Sequence, residues 1–451
     1  MTSDTIVAPA TPYGIGGIAV VRLSGPQAIL VTNKLLNNNS LRTKLKPRRA
    51  TLVYLYDENR VEIDESIVTL FEAPNSYTGE DLIEISCHGS PVVLDKIIST
   101  CCHFGARIAE PGEFTKRAFI NGKMDLVQAE AVASLIHSLS EESSRLNLRL
   151  LHGELSDKLN FFQQNLIDAV SIVEFELDIS EDVLQSDLNT KVLAIVTEQA
   201  RQIHELLGSY RQARMLNRGA LVVIAGAPNV GKSTLLNVLS ESNRAITSPW
   251  PGTTRDAIDV TLILDGVPIN LVDTAGIRQT IEEIEQEGVS RTFDYLKKAD
   301  LIILVNDPGL VKTNYGDYPK TIPIIEIMNK VDQLTKEETE ALKLSHSERI
   351  FLSAKTGLNI KLLKQRIKSS LGISGSLSDN ITITTSRQQH ALQNCFDRLS
   401  AAIGLLNNPR CAYELISIEM REALGALDAI LGKTTPDDIL NNVFNKFCVG
   451  K

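Results

Sequence analysis

The spacing of hydrophobic positions changes along the chain, and each change marks a different kind of structure. Up to about residue 119 apolar and polar residues alternate. ATLVYLY (50–56), the polar turn DENR and SIVTLFEAP (66–74) predict the two strands of an antiparallel hairpin. From Gly112 to Ala227 there is no proline, which favours long helices. Within that stretch Leu151, Leu155, Leu159, Phe162, Leu166, Ala169 and Val173 step by three and four, the stripe of a helix that buries one face in a core or a dimer seam. From about Arg218 the pattern becomes short unbroken apolar runs. LVVIAGA, PINLVDTAG, LIILVND and IPIIEIMNK read as parallel strands covered on both faces. GISGSLSDN (372–380) reads as a linker, and helical spacing then returns to the end of the chain.

The simplest architecture is therefore multidomain: an α+β N-terminal domain, an all-α helical domain, and an α/β domain inserted between two parts of the helical one. The expected boundaries are 1–119, 120–217, 218–373 and 374–451. Composition narrows the class. With 43% hydrophobic and 22% charged residues in 451, the chain has the balance of an ordinary globular protein. No apolar run reaches the roughly 18 residues of a membrane span, and MTSDTIVAPATPYG lacks the basic-then-apolar order of a secretion signal. The net charge of −9 argues against broad electrostatic binding of nucleic acid. The local basic stretch RTKLKPRR (42–49) reads either as an RNA contact or as a solvated loop. Six cysteines are few for this length and predict a reducing, cytoplasmic setting. Cys87-His88 and Cys101-Cys102-His103 lack the C-x₂₋₄-C spacing of structural zinc sites.

The strongest chemical signal is Gly226-Ala-Pro-Asn229-Val230-Gly231-Lys232-Ser233, which matches G-x-x-x-x-G-K-[ST] between a strand and the helix-like run opened by Thr234. Backbone N–H groups of such a loop close around phosphates, the lysine neutralises β/γ oxygens, and the serine hydroxyl ligates Mg²⁺. Three further segments follow in order. Ser248-Pro249-Trp250-Pro251-Gly252-Thr253-Thr254 carries a threonine placed for Mg²⁺ and the γ-phosphate, and Asp273-Thr274-Ala275-Gly276 would sense the same phosphate. Asn329, Lys330 and Asp332 would read the base, with Ser353, Ala354 and Lys355 completing the pocket. A carboxylate at Asp332 accepts from guanine N1 and N2, a pair of donors that adenine does not offer, so the expected substrate is GTP. Many such switches hold the attacking water with a glutamine after the glycine of the third motif; here Ile277 stands there and cannot do so.

Two features lie outside this set. Arg22 shares a strand face with Ile18 and Val20 in IAVVRLSG and needs an anionic partner; Glu84 lies opposite Ile83, Ile85 and Cys87 in its own strand. A structural ion pair and a ligand site both account for them. Cys448 stands four residues from the end, but Gly450 is not aliphatic and Lys451 is unsuited to close a prenylation box.

TPYGIGGIAVVRLSG, NSYTGEDLIEISCHG, PGEFTKRAFINGKMDL, the nucleotide motifs with GTTRD, and the tail FCVGK together resemble the MnmE (TrmE) family of tRNA-modifying GTPases over the whole chain. The resemblance implies a K⁺ ion that supplies the charge other systems bring as an arginine finger, held by Asn229 with Ser248, Trp250 and Thr253, the first two of these three through backbone carbonyls. Trp250 between two prolines departs from the family's usual pattern there. Glu285 in IEEIEQEG matches the residue that orients water, although a solvated acidic helix also explains that run. GTPase domains that pair face to face imply a homodimer. The N-terminal domain would bind a tetrahydrofolate derivative at Arg22, Glu84, Lys123 and Lys451, and Cys448 would serve as nucleophile or site support. The implied activity is installation of a carboxymethylaminomethyl or aminomethyl group at C5 of wobble uridine 34 of certain tRNAs. It would proceed in a heterotetramer with the flavoprotein MnmG (GidA), which brings FAD and NADH. A ribosome-assembly GTPase and a folate-dependent transferase with a regulatory GTPase are the alternatives. Against the first, the chain has one phosphate loop and no GXXG-bearing basic domain after it.

Overall fold

The computed structural model describes residues 4–36, 45–178, 185–241, 260–273, 295–309, 321–373, 381–408, 413–434, 437–445, 447 and 450. The chain forms two compact units, Met1–Ile136 with Arg149–Thr197 and Asn394–Lys451, and His137–Leu148 with Glu198–Gln393.

The first unit begins as a six-stranded sheet: β1 (Ile6–Pro9), β2 (Ile18–Ser24), β3 (Thr51–Tyr56), β4 (Glu62–Phe71), β5 (Leu82–His88) and β6 (Arg107–Ile108), in the order β3-β4-β5-β2-β1-β6. The expected hairpin is β3–β4, antiparallel, with Leu52 opposite Ile67. Alternation decides the faces. Val7, Ala19, Val21, Leu23, Ile83 and Ile85 point into one core with the buried residues of helices Ala28–Leu35 and Pro91–His103. The other face carries Ile18, Leu52, Tyr54 and Ile67, all exposed, and the half-buried Val20. Arg22 lies on this second face, opposite Ala8 of β1 and beside the small buried cluster of Ile6, Ala8, Ala109 and Phe114.

The helical stripe is a core feature of the same unit. Leu155, Leu159, Phe162, Leu166, Ala169 and Val173 are buried along helix Glu154–Asp178, which packs against helix Tyr413–Leu431 with its buried Ile416, Met420, Ala423 and Leu427. Glu174 accepts from Arg421 Nε at 2.7 Å and from Ser417 Oγ at 3.3 Å, fixing the two helices in register. Leu151 belongs to the preceding helix, Glu141–Leu151, because the chain breaks at Gly153.

The second unit holds a six-stranded sheet of β7 (Ala220–Gly226), β8 (Val260–Leu264), β9 (Val267–Asp273), β10 (Leu301–Asn306), β11 (Ile324–Met328) and β12 (Ile350–Phe351), in the order β12-β11-β10-β7-β9-β8. The four apolar runs named above are β7, β9, β10 and β11, mutually parallel, with antiparallel β8 at one edge. β9 is buried at every position, as a strand covered on both faces must be.

One buried cation shapes the N-terminal sheet. Arg117, 2% exposed, donates through Nη1 to the Asp4 carbonyl (3.0 Å) and Glu80 (3.1 Å), and through Nη2 to the Asp4 carboxylate (2.9 Å) and Glu113 (3.1 Å). Burial alone would raise the Asp4 and Glu113 carboxyls, yet the Arg107 and Arg117 guanidinia hold both below their ordinary values. That stabilisation is complete above the ordinary carboxylate range and is lost as pH falls through the lowered folded values. Arg117→Met should cost about 1–3 kcal/mol, because Glu80 loses its guanidinium while Asp4 and Glu113 keep Arg107. The urea midpoint at neutral pH measures this, and a loss below about 1 kcal/mol would show that the network is not structural.

Candidate functional site

Because β11, β10 and β7 lie side by side and run parallel, their C-terminal ends meet along one edge. Three loops leave that edge, one after each strand.

The loop after β7 is the phosphate-loop motif. A Cβ on Gly226 would lie 2.5 Å from the Val305 carbonyl oxygen of β10, so only glycine allows this approach. Gly231 has φ 95°, and a Cβ there would strike the Asn329 side chain. Asn229 takes φ 62°, a left-handed conformation that costs a non-glycine residue about 1 kcal/mol or more. Helix Lys232–Glu241 starts immediately after, so its N-terminal end, the positive end of the helix dipole, lies at the loop. Lys232 is almost buried and donates through Nζ to the carbonyls of Gly226 (3.1 Å) and Ala227 (2.8 Å). Ser233 Oγ donates to Asp273 Oδ2 at 2.8 Å, so the hydroxyl of the first motif meets the carboxylate at the end of β9.

The loop after β11 carries NKVD. Asn329 is buried; its Nδ2 donates to the Val230 carbonyl (2.9 Å) and its Oδ1 accepts from Ala354 N (2.9 Å). Lys330, at φ 61°, donates through Nζ to the Asn229 carbonyl at 2.6 Å. Ser353 Oγ accepts from Thr356 N at 3.2 Å and bends the SAK segment toward the same place. Asp332, Lys355, Gly231 and Thr234 line a cavity of about 230 Å³ there. It joins a carboxylate, an ammonium and backbone amides beside an anion-binding loop, the combination that a purine nucleotide requires.

Asp307, which sequence reasoning did not single out, occupies the loop after β10. It pairs with Lys330 Nζ at 2.8 Å and accepts from Gly309 N at 2.9 Å. Burial would raise its carboxyl, but Lys330 and the Gly309 N–H hold it below the usual range. Its position directly after an apolar strand was the available signal; which strands flank that one was not.

A second set lies in the first unit. Arg22 Nε and Nη2 both donate to Glu84 Oε1, at 3.0 and 2.6 Å, across the directly opposed β2–β5 pair. The guanidinium stands over the rings of Tyr77 (5.5 Å) and Phe114 (5.8 Å), two residues that the sequence did not mark, and donates to the Gly450 carbonyl at 3.5 Å. Gly450, at φ 95°, packs so closely on Pro9 that no Cβ fits. Lys123 Nζ donates to the Pro74 carbonyl at 3.0 Å, and its stem lies against Gly79. The remaining expected residues fall outside the described ones: Ser248, Pro249, Trp250, Pro251, Gly252, Thr253 and Thr254; Thr274, Ala275 and Gly276; Glu285; Cys448 and Lys451.

Two family profiles match the chain, "GTP-binding protein TrmE N-terminus" over residues 5–123 and "MnmE helical domain" over residues 126–448. A Fervidobacterium nodosum protein named "tRNA modification GTPase MnmE" is 37% identical over 457 residues, covering 100% of this chain and 98% of its own. Namesakes from Nitrosomonas eutropha and Coxiella burnetii are each 38% identical, covering 100% and 99% of this chain and 99% of their own. Among solved structures, the G domain of the T. maritima FeoB iron transporter aligns over 34% of this chain and 98% of its own at 27% identity. Its TM-score is 0.24, too low to carry an argument.

Asn329→Ala removes a buried amide and strands its two partners, Val230 O and Ala354 N. Each unsatisfied group costs about 1–3 kcal/mol. Titration with fluorescent GDP should show affinity weakened by about 100-fold, and unchanged affinity would remove Asn329 from its proposed place at the centre of the site.

Proposed function

The chain belongs to the MnmE family of tRNA modification GTPases, and from that premise we propose that it couples GTP hydrolysis to modification of tRNA at C5 of the wobble uridine 34. The observation that carries the nucleotide part is the Asn329 amide, which joins phosphate loop, base-reading loop and SAK segment into one pocket. Phosphates would seat on the N–H groups of residues 229–234, with Lys232 turning from its two carbonyls to the β/γ oxygens. Asp332 and Lys355 would take the guanine edge, helped by Ser353 and Ala354. Ser233 and Asp273 fit Mg²⁺, since a hydroxyl and a carboxylate 2.8 Å apart are hard oxygen donors; the serine would bind it directly, with Thr254, and the aspartate through water.

The segment 248–254 would close over the phosphates and 274–276 would contact the γ-phosphate. K⁺, bound by Asn229, Ser248, Trp250 and Thr253, would supply positive charge on the transferring phosphoryl group. Asn229 suits this: its backbone is held by Lys330 while its side chain is exposed. Glu285 would orient the water that Ile277 cannot hold. In the N-terminal domain, Glu84, Arg22, Lys123 and Lys451 would bind a tetrahydrofolate. The carboxylate would face the pterin and the cations the tail carboxylates, and the half-exposed Glu84 is open to exchange its partner. Cys448 would act at that site as nucleophile or support.

The assembly would be a homodimer in the cytoplasm, joined by the flavoprotein MnmG (GidA) with its FAD and NADH in a heterotetramer. The exposed apolar positions Ile18, Leu52, Tyr54 and Ile67 on one sheet face support self-association. No helix among the described residues is long and apolar enough to cross a membrane. The division into 1–119, 120–217, 218–373 and 374–451 is our reading of the domains.

GTP turnover should be stimulated by K⁺ over Na⁺, and Asn229→Ala and Glu285→Ala should each lower the stimulated rate by roughly 100-fold. Equal turnover in both salts would refute the cation assignment. Mass analysis of tRNA nucleosides from a strain lacking the protein should show loss of the substituent at uridine 34. Intact modification with immature ribosomes would instead favour a ribosome-assembly switch.

A further inference from the structure

We infer that Asp307 is a positioning residue that locks the base-reading loop to the phosphate loop and thereby sets how firmly Asn229 is presented to the monovalent cation. The cation part rests on the function proposed above; the locking part does not.

Strand order is the first argument. β10 lies between β7 and β11, so the residue that follows β10 emerges between the loop bearing Asn229 and the loop bearing Lys330. Asn306, the last residue of β10, already accepts from Asn329 N at 2.9 Å, so the base loop hangs on the end of this strand. Asp307 adds a charge to the same support. Its Oδ1 accepts from Gly309 N at 2.9 Å, which fixes the carboxylate and leaves Oδ2 on Lys330 Nζ at 2.8 Å.

The second argument concerns what the ammonium does next. Lys330 Nζ bridges Asp307 and the Asn229 carbonyl, the latter at 2.6 Å. A lysine ammonium on a four-carbon stem is strongly hydrated and loses side-chain entropy when it is held. It stays on a neutral carbonyl more firmly when a carboxylate, only 16% exposed here, anchors its other side. Asn229 itself has φ 62°, which must be over-determined by its surroundings to persist. The Lys330 bond supplies part of that determination. Loosening Asp307 therefore lets Asn229 relax, through the Lys330 ammonium that holds both.

An ordinary ion pair near the surface would be worth little and would touch stability only. The positioning role predicts more. In the full-length protein Asp307→Asn should raise the half-activating K⁺ concentration for GTP turnover about tenfold and weaken fluescent-GDP binding by a similar factor, as expected for loss of one charge-assisted bond. Asp307→Glu, which keeps the charge one methylene away, should recover part of both. In a double-mutant cycle, Asp307→Asn added to Lys330→Met should change neither value further. The inference is overturned if Asp307→Asn, or Asp307→Ala should the former not fold, matches the wild type within twofold in both K⁺ activation and GDP affinity, or if the two substitutions prove additive. If the wild type itself shows no K⁺ activation, the cation assignment falls, while GDP affinity and the cycle still decide the locking role.

Discussion

A single buried amide gives the nucleotide end of the second unit its shape. Asn329 has two donors and two acceptor lone pairs, and the described contacts use both ends of the group: Nδ2 on Val230, Oδ1 on Ala354. Its backbone N–H is spent on Asn306. Loops from β7, β10 and β12 therefore meet at one residue of the loop after β11. A buried amide has no cheap alternative to these bonds, because each group left unpaired would bear its full desolvation cost. Gly231 is part of the same constraint: any side chain there would enter the space that the Asn329 amide occupies.

That constraint explains what could be read from sequence and what could not. Strand identity was legible because β7, β9, β10 and β11 are unbroken apolar runs, and the motif residues were legible because their spacing is tied to phosphate and base chemistry. Strand order is not encoded in spacing. Nothing in LIILVND says that β10 lies between β7 and β11, so the meaning of Asp307 stayed hidden until the sheet was in view. Tyr77 and Phe114 escaped for a like reason, since each is distant in sequence from the Arg22 they flank. The apolar stripe was drawn one residue too long at Leu151, where periodicity ran through the break at Gly153.

The two arginines of the N-terminal sheet show how burial separates structural from exchangeable charge. Arg117, 2% exposed, is enclosed by three carboxylates and a carbonyl that use both of its terminal nitrogens. Among the described residues Arg22 has one carboxylate partner, two aromatic faces and a long bond to Gly450, and Glu84 is 29% exposed. An anion or a hydrogen-bonding ring can compete for a partner held that way. Sequence pattern alone left the ion pair and the ligand site equal for Arg22 and Glu84; the structure contains the ion pair, in a form that does not close off the second role.

The same comparison bears on catalysis without a glutamine. Phosphoryl transfer concentrates negative charge that something must neutralise, and the motif supplies two lysines for it. Lys330 is engaged between Asp307 and the Asn229 carbonyl, so it ties the loop after β11 to the phosphate loop. Lys232 donates to the Gly226 and Ala227 carbonyls of the phosphate loop, and on the proposed reading it turns from them to the β/γ oxygens. A single ammonium would neutralise only part of the charge of a triphosphate. Asn229, exposed and held left-handed, presents an amide oxygen from the same loop, and on the proposed reading an additional cation acts there.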